Sequence, residues 1–72
     1  MPAIIVNSLE LTHEQKATVA KKFTAIFSEL THVPEDRIYV FFDGYSLDDA
    51  AKGGELFSDS PPKGIVGKFN EE

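Results

Sequence analysis

The residue with the most to offer chemically is Pro2, directly behind the initiator methionine in "MPAIIVNSLELTHEQK". With Met1 attached, its nitrogen is an amide. With Met1 removed, it becomes a secondary amine at the chain terminus, able to accept a proton and return it. Other chemistry-bearing types are sparse. There is no cysteine, and neither His13 nor His32 has a second ligand at metal spacing. Asp43, Asp48, Asp49 and Glu55 do not alternate as a calcium loop requires. "GGEL" is too short to cradle a phosphate, so Gly53 and Gly54 read as a tight turn. No metal and no cofactor is expected.

The surrounding composition limits what kind of protein this is. Seventy-two residues make one domain, 1–72, with 57–72 an irregular tail or arm. A chain this short shields a limited share of its surface, and without cysteine it has no disulfides to compensate. Oligomerisation is the expected substitute, in a cytoplasmic setting. The net charge of -5 and the scattered basic residues, of which only Lys21 and Lys22 adjoin, argue against nucleic acid as a partner. The runs "AIIV" and "IYVFF" are too short to span a bilayer, and no signal-peptide pattern precedes them, so no membrane partner is expected either. A small anionic substrate is compatible with the charge, since one or two placed cations hold a carboxylate.

Three elements must position Pro2. Ala3 to Val6 is an apolar, β-branched run ending at Asn7 and Ser8, and reads as a strand buried on both faces. Thr12 and Gln15 in "THEQ" have capping-box spacing, so a helix opens at Thr12. Val19, Ala20, Phe23, Ile26, Phe27 and Leu30 then recur at helical spacing as one stripe facing a sheet, and Pro34 requires the helix to have ended. Arg37 to Asp43, "RIYVFFD", is the second strand, with Ile38, Val40 and Phe42 on one face and Arg37, Tyr39 and Phe41 on the other.

The helix-bearing connection suits a right-handed βαβ crossover with parallel strands. Beyond it, Leu47 to Lys52 suggests a short helical piece, "ELFSDSPPKG" a loop, and "GIVGKF" a last edge strand. The expected fold is α/β: a single βαβ unit with a short C-terminal hairpin or edge strand. A ferredoxin-like binding module would need a second helix before "GIVGKF", and "ELFSDSPPKG" is too short and too proline-rich to supply one. Phe23, Phe27, Phe41 and Phe42 read as core. One sheet face remains uncovered, and leaving its aromatic side chains in water is unfavourable, so it should pack on a copy of itself.

The order and spacing of Pro2 opening a strand, "LTHEQK" opening a helix, "VPEDRIYVFFD" and then "GGEL" resemble the tautomerase superfamily. The nearest pattern is the 4-oxalocrotonate tautomerase-like branch, with macrophage migration inhibitory factor and the cis-3-chloroacrylic acid dehalogenases more distant. The likeness runs from Met1 to about Leu56. It implies a homo-oligomer, a hexamer built as a trimer of dimers or a trimer, with sites between subunits. It also implies that Met1 is removed and that Pro2 is the catalytic acid or base, its neutral form favoured by an apolar pocket.

The sequence departs from that branch at three positions. An arginine in the turn before the capping box is Leu11 here, an arginine in the second strand is Tyr39, and an aromatic before the glycine pair is Ala50. The 4-oxalocrotonate reaction itself is therefore not expected. Tyr39 can instead donate a phenolic hydrogen bond to a substrate carbonyl, with Arg37 or Lys52 holding a carboxylate. The expected activity is keto-enol tautomerisation of a small 2-oxo acid by Pro2. The alternatives are hydration, dehalogenation or decarboxylation by protonated Pro2, and a non-catalytic oligomeric scaffold of the same fold.

Overall fold

The computed structural model describes residues 1–61. Strand β1, Ala3–Leu9, leads into helix α1, His13–Thr31; a 3-10 turn, Glu35–Arg37, then delivers strand β2, Tyr39–Tyr45. β1 and β2 pair in parallel from Ala3 opposite Tyr39 to Leu9 opposite Tyr45, which is the expected βαβ unit. β1 outlasts its apolar run because Asn7 and Ser8 continue the ladder opposite Asp43 and Gly44.

Helix α1 starts where its capping box requires. The Gln15 N–H donates to Thr12 Oγ1 at 3.1 Å, and the Thr12 N–H donates to Gln15 Oε1 at 3.0 Å. Two of the free donors at the helix start are thus satisfied. Replacing Thr12 with Ala should cost about 1 kcal/mol, read as an earlier thermal transition with unchanged helix content below it. At the other end His32 adopts a left-handed conformation, φ 64°, and its N–H donates to the Ser28 carbonyl at 2.8 Å. The helix therefore stops before Pro34.

Several boundaries differ from the sequence reading. Arg37 is not in the second strand: its N–H donates to the Pro34 carbonyl and that of Ile38 to the Glu35 carbonyl, closing a 3-10 turn that delays the strand to Tyr39. Lys52 is not in a helical piece either. Only Leu47–Asp49 is helical, as a 3-10 turn, and Ala51–Lys52 forms β3, paired antiparallel with β4, Glu55–Leu56. Gly53 and Gly54 have φ of 63° and 88°, the positive values that a two-residue hairpin turn demands. The turn expected there is present, and it supplies the short C-terminal hairpin. The "GIVGKF" segment lies outside the described residues.

The apolar stripe of α1 splits in two. Val19, Ala20 and Phe27 are partly covered, toward Ile4, Val6, Val40 and Phe42 of the sheet, whereas Phe23, Ile26 and Leu30 are 45, 57 and 75% exposed. The opposite sheet face, with Ala3, Ile5, Tyr39 and Phe41, is open, so β1 is not covered on both sides and Phe23 and Phe41 are not core within one chain. Among the described residues none is fully buried. One helix can cover only one face of a two-stranded sheet.

Candidate active site

Pro2 sits one residue before β1, half-buried, and its carbonyl accepts a 3.0 Å hydrogen bond from the Tyr39 N–H. Proline is tolerated here because a strand's first position needs no donor from it. The parallel register thus brings Pro2 and Tyr39 to the same strand end through the backbone. Tyr39 lies opposite Ala3 on the open face, 42% exposed, with its ring stacked along Phe41 at a centroid distance of 6.4 Å and an interplanar angle of 16°. Met1, the residue that would have to leave, is 85% exposed.

The two proposed cations are placed differently. Arg37 is exposed in the 3-10 turn two residues before Tyr39, so it neighbours that end of the sheet, but the strand alternation that put it on the Tyr39 face does not apply. Lys52 is exposed in the hairpin, opposite Glu55.

A cleft that the sequence did not disclose lies at the other end of the strands. Its volume is about 160 Å³, and Ser8, Glu10, Leu11, Lys16, Phe42 and Gly44 line it. β1 continues past its last paired residue through the Glu10 N–H, which donates to the Tyr45 carbonyl at 3.0 Å. Glu10 lies so close over Gly44 that a Cβ there would sit 3.3 Å from the Glu10 Cγ, so a larger residue at position 44 would push Glu10 aside. Lys16 follows the cap by one helical turn, its N–H donating to the Thr12 carbonyl at 3.0 Å, and this returns it to the side where Leu11 enters. The available signal was that four-residue step from Thr12, which outweighs its place on the polar side of the helix.

Seven residues of β1 at about 3.3 Å each separate Pro2 from this cleft by about 20 Å within one chain. Among the described residues no group of three or more His, Cys, Asp or Glu is arranged to hold a metal, and no helix is long and apolar enough to cross a membrane.

A parallel βαβ unit with a proline at the opening of its first strand and a cleft at the far strand ends makes this a small α/β protein. Residues 2–60 match the family described as "Tautomerase enzyme", and the chain belongs to that family. It is similar to a probable tautomerase of Bacillus cereus, 45% identical over 60 residues covering 82% of this chain and 98% of the relative. A probable tautomerase of Bacillus anthracis matches equally. Among solved structures, a 4-oxalocrotonate tautomerase homologue superposes with a TM-score of 0.79 at 30% identity, covering 86% of this chain and 100% of that one. YwhB, another homologue of 4-oxalocrotonate tautomerase, gives 0.71 at 36% identity over 81% and 97%. DmpI from Helicobacter pylori, at 19% identity and a TM-score of 0.68, shares the fold.

Proposed function

We propose that the chain is a tautomerase that moves a proton within a small 2-oxo acid, with Pro2 as the acid and base once Met1 is removed. The observation that carries this reading is the position of Pro2. It lies at the open end of the parallel pair, one residue ahead of the ladder, so its nitrogen has no structural duty and would become a free amine when the exposed Met1 leaves. Apolar surroundings in the assembly favour the neutral amine, which takes the proton from the enol oxygen or from the carbon beside the carbonyl. The proton then returns at the conjugated carbon.

Tyr39 supports the reading from the same strand end. Its hydroxyl would donate to the substrate carbonyl oxygen as negative charge develops there. Tyr39→Phe should lower kcat by about tenfold and leave KM and the oligomer nearly unchanged. An equal loss in Tyr39→Phe and in a distant surface variant would remove Tyr39 from the reaction. Arg37 is the nearer of the two candidate carboxylate holders in sequence to that end, and Lys52 would have to come from the hairpin of an adjoining copy.

The site belongs, in this proposal, to a homo-oligomer, a trimer or a hexamer of three dimers. Its support is the apolar surface one chain leaves open: Ile5, Tyr39 and Phe41 on the sheet, and Phe23, Ile26 and Leu30 on the flank of α1. The test of the function is turnover. The protein, verified to lack Met1, is offered small 2-hydroxy-2-enoic acids, and loss of enol absorbance is followed against buffer. Ketonisation faster than buffer is expected, and no acceleration with any of them would overturn the reading.

A further inference from the structure

On the open sheet face Tyr39 is flanked unevenly. Across the ladder it meets Ala3, which offers only a methyl group, and it stands at the first position of β2. Along its own strand it meets Phe41, whose ring lies nearly parallel to its own at a centroid distance of 6.4 Å. Phe41 is placed further inside the ladder, opposite Ile5, a pair of the aromatic and β-branched kind that stabilises sheets. We propose that Phe41 is a positioning residue: its ring selects the Tyr39 side-chain rotamer and so sets where the Tyr39 hydroxyl stands for the reaction. The use of that hydroxyl rests on the tautomerase reading, whereas the rotamer selection is measurable without turnover.

A strand does not by itself fix the direction of a side chain. The χ1 wells at about 180° and about -60° are both common there, and the hydroxyl, the atom of tyrosine farthest from the backbone, moves most when they exchange. Tyr39 is 42% exposed, so enclosure within the single chain does not choose between them. The parallel rings do choose, since an aromatic pair in such a geometry is favoured by roughly two- to tenfold over an unpaired ring. The reaction needs that choice because a displacement of about 1 Å can cost about 10²-fold in rate. The effect also has a ceiling. A residue that acts through the Tyr39 hydroxyl can cost no more than removal of that hydroxyl. This duty is separate from packing, because leucine or methionine at position 41 would keep apolar contact with Ile5 while removing the flat ring face.

The test compares wild type with Phe41→Leu, Tyr39→Phe and the double variant, each verified by sedimentation as the wild-type oligomer and by mass as free of Met1. In protein carrying isotope-labelled tyrosine, three-bond NMR couplings about the Tyr39 χ1 should report one rotamer in wild type and an average in Phe41→Leu. Phe41→Leu should lower kcat for enol ketonisation by about threefold with KM unchanged, and the double variant should lose no more than Tyr39→Phe alone. Phe41→Tyr, which keeps the ring, should keep both the couplings and kcat. Phe41→Met repeats the comparison if leucine disturbs the oligomer. Unchanged couplings in the variants without the ring, or losses that multiply in the double variant, would overturn the positioning role. Couplings that average in Phe41→Leu while Tyr39→Phe turns over like wild type would instead locate the failure in the reading of the hydroxyl, and Phe41 would then have no part in the reaction.

Discussion

Pro2→Ala is expected to lower kcat/KM for enol ketonisation by about 10²-fold or more while the oligomer and its thermal stability persist. The loss is selective because the backbone bond that holds Pro2 in the fold does not involve its ring. The hydrogen bond that Pro2 makes uses its carbonyl, which alanine also has, and β1 begins only at Ala3. The loss should also be incomplete. After Met1 removal an alanine terminus is a primary amine, a weaker match in position and basicity than the ring nitrogen but still able to take a proton. A variant that loses its oligomer along with its activity would instead mean that Pro2 is structural. Unchanged turnover would favour the reading of the chain as a scaffold that kept the fold without the chemistry.

The second large effect concerns the assembly. Phe41→Asp should convert the protein to monomers that have lost most of their cooperative melting, measured by sedimentation and by circular dichroism on heating. Phe41 is 52% exposed in the single chain, at the centre of the uncovered sheet face between Tyr39 and Asp43. If that face packs on other copies, a carboxylate there is desolvated without a partner, at a cost of several kcal/mol per subunit. A single chain has little to fall back on, since no described residue is fully buried. If the variant stays oligomeric and melts near wild type, the sheet face is not the interface, and the flank of α1 with Phe23, Ile26 and Leu30 is the next surface to change.

The elements that set the position of Pro2 were legible in the sequence for identifiable reasons. The Thr12 and Gln15 spacing fixed the helix start because the capping box is a local hydrogen-bond exchange. Alternation along "IYVFF" separated Val40 and Phe42 from Tyr39 and Phe41 because strand periodicity is independent of what covers each face. The start of β2 was not legible, since "PEDR" has no periodicity and its 3-10 turn rests on two backbone bonds. The two-residue strands β3 and β4 are likewise shorter than any pattern that could announce them.

The helix stripe shows a different limit. Val19 and Phe27 share their apolar spacing with Phe23 and Leu30, and spacing alone does not say which of them one chain can cover. The candidate site divides in the same way. The meeting of Pro2 and Tyr39 follows from strand register, while the Lys16 cleft depends on Glu10 lying over Gly44, a contact between strand ends that no local pattern encodes.

The central claim is that Pro2 carries a free secondary amine, and the intact mass of protein expressed without an N-terminal tag tests it most directly. The account predicts a mass short by one methionine. A full-length mass would leave the Pro2 nitrogen acylated, unable to act as a base, and would contradict the proposed mechanism.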